Sequence, residues 1–193
     1  MTDLKSEKAQ VRKDVREQLH RAAAEEVAEW SATITDRLIA LPEYRQAQAI
    51  MVFLSFTREY DTGSLTALAL KAGKTVCAPK VDWATLKMSP VKMNHPGEFV
   101  RDEHGVKDPT GDEPVSVDLL DLVLVPGLAF DVYGRRLGRG AGFYDHFLAR
   151  ADLRAFRLAP TFDFQVRPEI PFGPGDEPMD MILTPTRTLR FVR

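Results

Sequence analysis

The chain has 193 residues, of which 44% are hydrophobic and 28% are charged. This composition is that of an ordinary globular domain and excludes collagen-like, coiled-coil and mostly disordered proteins. The 26 basic and 28 acidic side chains give a formal net charge of -2. This balance argues against a dedicated nucleic-acid binder, because such proteins usually carry a basic excess. The single cysteine, Cys77, excludes an internal disulfide.

The sequence offers neither a targeting signal nor a membrane span. Residues 1–21 are charged throughout and lack the apolar core of a secretory signal peptide. No window of the sequence approaches the roughly 20 consecutive apolar residues that a transmembrane helix needs. We therefore expect a cytoplasmic protein without a membrane partner.

Residues 4–41 are predicted to be helical, because they contain neither glycine nor proline and their apolar residues recur at helical spacing. The alanine-rich stretch Ala22–Ala24 is a candidate junction between two helices. Pro42 is predicted to end this region, since its ring blocks the preceding helical turn. The apolar face comprises Leu4, Val11, Val15, Leu19, Ala23, Val27 and Trp30.

Short apolar runs alternate with a helical segment in the middle of the chain. Ala49–Phe56 is apolar on both faces, as a buried parallel strand is. Thr62–Ala72 is predicted to be a helix. A second strand is predicted over Thr75–Ala78 and is expected to end at Pro79, and a third is predicted over Met88–Met93.

The second half of the chain continues this alternation. Leu119–Val125 is the clearest predicted strand, and a helix is predicted over Ala141–Ala151, whereas residues 80–114 are the least regular part. Alternating strands and helices indicate an α/β domain with helices on both faces of a mostly parallel sheet. No linker divides the chain, so we expect residues 1–193 to form a single domain. Further candidate strands are Arg157–Pro160, Met181–Thr184 and Leu189–Val192.

The most informative segment lies between a predicted strand and a predicted helix, and we call residues 134–142 the glycine–arginine loop. Glycine lets backbone N–H groups approach a ligand closely, and arginine suits forked contacts with phosphate oxygens. The loop predicts a phosphate or nucleotide site, although tight turns alone would explain one or two glycines. It matches neither the P-loop nor the Gly-x-Gly-x-x-Gly fingerprint. Its glycines and arginines are Gly134, Gly138, Gly140, Gly142, Arg135, Arg136 and Arg139.

Other charged residues each allow two interpretations. Asp145 follows the loop in the first turn of a helix, where it either complements the helix dipole or holds Mg²⁺ beside a bound phosphate. Asp180 is a similar ligand or only marks the start of a strand. Glu59 follows the carboxyl end of the first strand, where ligands gather in α/β sheets, or is a surface carboxylate. Lys8 and Arg12 share one helical face, either as solvated charges or as part of a binding site.

Residues spread over nearly the whole chain resemble the motifs of one enzyme family. They are, in chain order, Lys8, Arg12, Phe53–Phe56, Glu59, Asp61-Thr62, Leu122–Asp131, Gly134, Arg136–Gly140, Gly142–Asp145, Gln165, Ile170-Pro171, Asp176, Asp180 and Thr184. The pattern is similar to that of 5-formyltetrahydrofolate cyclo-ligase, also called methenyltetrahydrofolate synthetase. The central motif is long and specific, so chance is a poor explanation for it.

The resemblance implies a three-layer α/β/α fold and the ATP- and Mg²⁺-dependent conversion of 5-formyltetrahydrofolate to 5,10-methenyltetrahydrofolate, with release of ADP and phosphate. Transfer of the γ-phosphoryl group to the formyl oxygen would make that oxygen a leaving group, and N10 of the folate would then attack the formyl carbon. Such chemistry needs charge stabilisation and alignment more than a protein nucleophile. The implied partners are reduced folate and ATP, with no nucleic acid, and we expect a monomer.

The resemblance also implies roles for individual residues. Arg139 and Asp145 are expected to act in catalysis, with Arg139 stabilising charge on the moving phosphoryl group. Asp145 and Asp180 are expected to hold Mg²⁺. The residues expected to bind ATP are Lys8, Arg12, Arg136, Leu137, Gly138, Arg139, Gly140, Ala141, Gly142, Phe143 and Tyr144. Those expected to contact the folate are Leu54, Phe56, Glu59, Arg139, Gly140, Ala141, Gly142 and Phe143.

The chain departs from the family pattern at three places. Phe143 stands where a tyrosine is usual, Ala141 where a glycine or lysine is usual, and Gly175-Asp176 where His-Asp is frequent. These departures bear on folate choice more than on nucleotide binding. A ligase with a shifted substrate and a non-catalytic nucleotide- or folate-binding relative therefore stay open as alternatives. Core packing is an alternative role for Phe56.

Overall fold

Two long helices form the N-terminal part of the computed structural model, which describes residues 3–192. α1 spans Leu4–Arg21 and α2 spans Ala24–Ala40, so the predicted junction between two helices is confirmed. The short helix α3 spans Pro42–Gln46, and the proline that ends the predicted helical region also begins this helix. A proline is tolerated there because the first position of a helix needs no N–H partner. No helix in the described range is long and apolar enough to cross a membrane.

Strands alternate with helices along the rest of the chain, as the sequence predicts. The remaining helices are α4 (Gly63–Lys71) and α5 (Phe143–Leu148), with 3-10 turns at Val117–Leu119 and Asp163–Gln165. The strands are β1 (Ala49–Met51), β2 (Thr75–Asp82), β3 (Lys87–Lys92), β4 (Phe99–Arg101), β5 (Lys107–Pro109), β6 (Leu122–Leu124), β7 (Ala129–Asp131), β8 (Arg136–Leu137), β9 (Phe156–Pro160), β10 (Val166–Arg167), β11 (Met181–Leu183) and β12 (Thr188–Arg190).

The main sheet of the described chain has seven strands in the order β12-β11-β9-β6-β1-β2-β3. Its central strands β11, β9, β6, β1 and β2 are parallel, whereas the edge strands β3 and β12 run antiparallel to their neighbours. Smaller sheets are formed by β10-β7-β8 and by the hairpin β4-β5. Helices cover both faces of the main sheet, so the predicted α/β fold is confirmed.

Alternate residues of the central strands face two separate hydrophobic cores. Ile50 and Val52 pack with side chains from α1, α2 and α4 on one face of the sheet. Met51 and Cys77 pack on the opposite face with Phe147 of α5. Because both faces are covered, the central strands are apolar at successive positions, which is why the sequence predicted them as continuous apolar runs.

The prediction that Pro79 ends the second strand is wrong, because β2 continues through it. β2 pairs with β1 only as far as Cys77, which lies opposite Met51, so the missing N–H of Pro79 deprives no neighbouring strand on that side. Across the antiparallel pair, Pro79 lies opposite Pro90 in the edge strand β3, where proline is tolerated. The strand therefore extends to Asp82, beyond the end of β1.

Three other predicted elements differ most from their predicted length. β1 is three residues long instead of continuing to Phe56, because the chain leaves the sheet there as an irregular loop. β6 is shorter than the predicted strand over residues 119–125, since its first part forms a 3-10 turn. α5 has six residues, and its last carbonyl oxygen, that of Leu148, accepts a hydrogen bond from Arg157 Nη2 at 2.5 Å.

The strand order reverses between the neighbouring strands β1 and β6. From β1 the chain proceeds to β2 on one side, and from β6 it proceeds to β9 on the other side. The loops that leave the carboxyl ends of such a pair diverge, and the crevice between them is the usual ligand site of open α/β sheets. The topology therefore predicts a ligand site at the carboxyl ends of β1 and β6.

Candidate active site

A pocket of about 260 Å³ opens at the carboxyl ends of β1 and β6. Its walls come from the loops after these strands, the glycine–arginine loop with the start of α5, the β2–β3 turn and the hairpin β4-β5. The lining is largely apolar with a few charged groups, which is typical of small-molecule sites. The lining residues are Phe53, Leu54, Phe56, Glu59, Pro79, Val81, Trp83, Met88, Val106, Lys107, Pro126, Gly127, Arg136, Gly138, Arg139, Gly140, Ala141, Gly142, Phe143, Tyr144 and Asp145.

Most of the site residues expected from the sequence meet in this pocket. They come from two stretches of the chain, residues 54–59 and 136–145, which lie far apart in sequence. The expected residues that do not line the pocket are Lys8, Arg12, Leu137 and Asp180.

Arg136 is buried at the pocket wall and fixes Asp145. Its Nη2 donates to Asp145 Oδ1 at 2.5 Å, and its Nη1 donates to Pro126 O at 3.2 Å. The side chain of Arg136 is 3% exposed, whereas that of Asp145 is 24% exposed, so the carboxylate remains accessible from the pocket. A Cβ at Gly138 would lie 2.7 Å from Arg136 Nη1, which explains the glycine at that position.

Arg139 and Glu59 form an ion pair across the pocket. Arg139 Nε donates to Glu59 Oε1 at 2.9 Å, and Nη2 donates to the same oxygen. The second carboxylate oxygen of Glu59 accepts a hydrogen bond from Phe56 N–H at 3.0 Å. The Phe56 ring lies beneath the Arg139 guanidinium, 4.4 Å from its central carbon, in a cation–π contact. These contacts join the loop after β1 to the glycine–arginine loop.

The part of the glycine–arginine loop that faces the pocket is residues 138–142. Gly140 and Gly142 have φ angles of +114° and +83°, which residues with a Cβ rarely adopt. Gly142 precedes α5, whose six residues are too few for its dipole alone to define an anion site. Backbone shape and arginine side chains therefore dominate this wall.

Gly134 and Arg135 lie outside the pocket in a tight turn between β7 and β8. Gly134 has a φ of +82°, and a Cβ there would approach the Phe191 ring to 2.8 Å. Arg135 donates from Nη1 to Glu169 Oε1 at 2.9 Å and lies over the Tyr133 ring. A tight turn, the alternative to a phosphate site, therefore accounts for Gly134 and Arg135.

Lys8 and Arg12 lie on one face of α1, beside the pocket rather than in its lining. Lys8 Nζ donates to both carboxylate oxygens of Asp176, at 2.7 and 2.5 Å. Arg12 Nε donates to Gly138 O at 2.9 Å and so attaches α1 to the glycine–arginine loop. Burial and the neighbouring Arg16 lower the pKa of the Arg12 guanidinium.

Asp180 lies at the amino ends of β9 and β11, whereas the pocket lies at the carboxyl ends of the parallel strands. It is buried, and its Oδ2 accepts a hydrogen bond from Arg157 N–H at 2.8 Å. Within residues 3–192 no group of three or more His, Cys, Asp and Glu side chains could hold a metal ion. Of the two expected ligands only Asp145 lines the pocket, where substrate phosphates would supply the further ligands that Mg²⁺ commonly has.

Trp83 is a pocket residue that the sequence analysis missed, because it comes from the irregular segment 80–114. Its ring contacts that of Phe143 edge-on, with 4.9 Å between the ring centroids. Its Nε1 donates to Asp102 Oδ2 at 2.8 Å, and its ring lies 4.1 Å from that of His104. Trp83 thus joins the β2–β3 turn, the hairpin β4-β5 and the start of α5, and no local pattern signals this.

Lys107 on β5 is another pocket residue that was not predicted from the sequence. It lines the pocket and also a polar cleft of about 300 Å³ that adjoins it. Burial and Arg101 lower the pKa of Lys107, while Asp61 and Glu59 act in the opposite direction. Its Nζ lies 4.4 Å from the centroid of the Phe99 ring. A cation therefore stands on the wall that faces Glu59.

Tyr144 lines the pocket, but its hydroxyl is buried and has no hydrogen-bond partner within the described part of the chain. Its burial raises the pKa of Tyr144, so the phenol is neutral at ordinary pH. A buried polar group without a partner is costly unless a ligand or water bonds to it. The hydroxyl oxygen is itself inaccessible, so an internal water suits it better as a partner than a ligand in the pocket does.

Known proteins resemble this chain over nearly its whole length. A model of the 5-formyltetrahydrofolate cyclo-ligase family matches residues 4–185. The mouse 5-formyltetrahydrofolate cyclo-ligase is 31% identical over 189 residues, which cover 92% of this chain and 93% of the mouse protein. The Escherichia coli K12 protein of the same name is 28% identical over 179 residues, with coverage of 90% and 97%.

Solved structures agree with this result. The NMR structure of Aquifex aeolicus 5,10-methenyltetrahydrofolate synthetase matches with a TM-score of 0.84 and 28% identity, and covers 96% of this chain and 93% of its own. A 5,10-methenyltetrahydrofolate synthetase from Mycoplasma pneumoniae shares the fold, with a TM-score of 0.75 at 18% identity.

Proposed function

Because this chain belongs to the 5-formyltetrahydrofolate cyclo-ligase family, we propose that it converts 5-formyltetrahydrofolate and ATP into 5,10-methenyltetrahydrofolate, ADP and phosphate. The observation that carries this proposal is the Arg139–Glu59 pair, which lies in the same pocket as Asp145. One small pocket thus offers a carboxylate for substrate N–H groups, a cation for a transferring phosphoryl group and an accessible carboxylate for a metal ion.

The reaction needs an activated formyl oxygen. The formyl oxygen attacks the γ-phosphorus of ATP and ADP leaves, after which N10 of the folate attacks the formyl carbon. Loss of phosphate and of the N10 proton completes the methenyl bridge. Arg139 stabilises charge on the transferred phosphoryl group, and a guanidinium is well suited to this because it presents several donors in a fixed plane.

The folate occupies the apolar part of the pocket. Leu54 and Phe143 supply apolar surface, and Glu59 accepts hydrogen bonds from the N–H groups of the pterin. Phe56 already packs against Arg139, so its role is to support the guanidinium from below.

The nucleotide lies on the side of the glycine–arginine loop and α1. Residues 138–142 approach its phosphates with their backbone. Arg12 contacts this loop, and Lys8 lies one helical turn before Arg12 and pairs with Asp176. Asp145, whose carboxylate also pairs with Arg136, would hold Mg²⁺, and the ion would neutralise phosphate charge. The expected pairing of Asp180 with Asp145 at one ion has no support in this geometry, so we assign the ion to Asp145 and the phosphates.

The test is an absorbance assay for the methenyl product with purified protein, 5-formyltetrahydrofolate, ATP and Mg²⁺. We expect product to appear in step with ADP, and only when all three small molecules are present. Product without ATP would reject the ATP-dependent mechanism. Thermal stabilisation by the same ligands without any product would instead favour the non-catalytic alternative.

A further inference from the structure

We propose that Arg58 is a positioning residue, which holds the neighbouring Glu59 at the pocket by tying the β1–α4 loop to the carboxyl end of α1. The inference rests on the proposed function, in which Glu59 contacts the folate. The juxtaposition that carries it is the Arg58 guanidinium against the final carbonyl groups of α1, with Glu59 directed the other way into the pocket.

The backbone of Arg58 adopts a conformation that a long side chain rarely takes. Its φ is +67°, in the left-handed region that favours glycine, asparagine and aspartate. Such a conformation persists where the surroundings hold the residue in place, and it is found at functional sites more often than elsewhere. The side-chain contacts of Arg58 supply that constraint.

The guanidinium of Arg58 caps α1. Its Nη1 lies 3.3, 2.7 and 2.5 Å from the carbonyl oxygens of Leu19, His20 and Ala22. The last carbonyl groups of a helix have no partner within the helix, and a cation is favourable at that end. The residue after α1, Ala22, is extended with a φ of -65°, so no left-handed glycine cap satisfies these groups. Arg58 takes that place from a distant part of the chain.

The same helix therefore holds the Arg139–Glu59 pair from both sides. Near its middle, Arg12 donates to the carbonyl oxygen of Gly138, the residue before Arg139. At its end, α1 holds Arg58, the residue before Glu59. Arg12 and His20, the two attachment points within the helix, are eight residues apart, or about 12 Å along its axis. The helix thus sets the separation of the two loops that carry the ion pair, and losing one attachment makes the loop with Glu59 more mobile.

The experiment compares wild type with Arg58→Gly, Arg58→Ala and Arg58→Lys. Glycine accepts the positive φ but lacks the guanidinium, alanine lacks both advantages, and lysine keeps a cation at the helix end. We expect the Kd for 5-formyltetrahydrofolate, measured by titration calorimetry, to rise about tenfold or more in Arg58→Gly and Arg58→Ala, whereas the Kd for ATP changes less than threefold. Arg58→Lys is expected to recover part of the loss.

A second measurement does not depend on any substrate. Hydrogen–deuterium exchange of residues 56–61 is expected to accelerate in Arg58→Gly, while a control variant, Arg37→Ala, leaves it unchanged. Arg37 also donates to backbone carbonyl groups, those of Thr184 and Pro185, but it lies outside the pocket. Unchanged exchange in residues 56–61 would overturn the inference even if the enzyme is active. Accelerated exchange in a protein that forms no product would leave the inference standing and reject the proposed function.

Discussion

The positive charge of Arg136 is buried, and its compensation depends on the carboxylate of Asp145. We expect Asp145→Asn to lower the free energy of unfolding by about 3 kcal/mol, because it leaves a buried cation without its partner. The value is at the low end for buried pairs since Asp145 is partly exposed. Urea unfolding followed by circular dichroism measures it.

Asp152→Asn is the control for this experiment, because Asp152 pairs with Arg150 on the surface, where both side chains are about half exposed. We expect no measurable change in its unfolding free energy. Equal losses in the two variants would show that the Arg136–Asp145 pair is no more important than a surface ion pair.

Arg139 and Arg135 stand four residues apart in one loop, but only Arg139 faces the pocket. We expect Arg139→Ala to lower kcat by roughly 100- to 1000-fold, the usual cost of removing a donor that stabilises transition-state charge. Arg135→Ala is expected to stay within a few-fold of wild type. Similar activity in the two variants, measured with the methenyl absorbance assay, would remove the catalytic role of Arg139.

The turn between β11 and β12 is held by one carboxylate. Asp163 Oδ1 accepts hydrogen bonds from Thr184 Oγ1 at 2.6 Å, Thr186 Oγ1 at 2.7 Å and Arg187 Nε at 2.9 Å. Burial alone would raise the pKa of Asp163, but these bonds outweigh it and the pKa lies below its usual value. The folded state therefore favours the charged form of this side chain.

A lowered folded pKa makes this turn sensitive to acid. The stabilisation is complete above the unfolded pKa of about 3.9 and is lost as the pH falls through the folded value. We expect wild type to be more stable than Asp163→Asn at pH 7 and to lose that advantage below about pH 4. Urea unfolding between pH 7 and 3 tests this, with the exposed Asp36→Asn as control. A constant difference between wild type and Asp163→Asn over that range would contradict it.

Trp83 lines the pocket, where it joins the β2–β3 turn to the hairpin β4-β5. Trp30 instead packs against Phe162 in the core between the sheet and helices α1, α2 and α4. We expect 5-formyltetrahydrofolate to quench tryptophan fluorescence in wild type and in Trp30→Phe, after correction for ligand absorbance. The quenching is expected to disappear in Trp83→Phe. Quenching that survives in Trp83→Phe and vanishes in Trp30→Phe would place the ligand elsewhere.

The elements that the sequence predicted well are those whose pattern is local. The N-terminal helices were found because their apolar spacing extends over many residues. The core of each parallel strand was found because it is a short continuous apolar run. β4 and β5 were missed because each has three residues of mixed polarity and is stabilised by its partner strand. Pro79 misled the prediction because its tolerance depends on where the neighbouring strand β1 ends.

At the scale of the whole molecule, the pocket is built by segments that come together only when the chain is folded. Glu59 and the glycine–arginine loop were predictable because one follows an evident strand and the other has a distinctive composition. Trp83 and Lys107 were not, because their place in the pocket results from contacts between distant segments. The family resemblance included Glu59 and most of the glycine–arginine loop but neither Trp83 nor Lys107.

Such a pocket should couple ligand binding to global stability. A ligand at about 100 times its Kd adds about 2.7 kcal/mol, which for a chain of this size raises Tm by about 5–10 °C. We expect this shift in a thermal melt with 5-formyltetrahydrofolate, and a further one when ATP and Mg²⁺ are added. Inorganic phosphate at the same ionic strength serves as control. No shift beyond that of phosphate would show that these ligands do not bind.

The edge strand β3 has a consequence for how the protein behaves at high concentration. Exposed edges invite strands of other chains to add and so promote aggregation. Pro90 offers no N–H there, its carbonyl oxygen already accepts from Val115 N–H at 2.9 Å, and Lys92 N–H donates to Glu113 O at 2.9 Å. A second copy could extend the sheet on this side only after displacing residues 113–115. This segment of the chain therefore protects the β3 edge from amyloid-like strand addition.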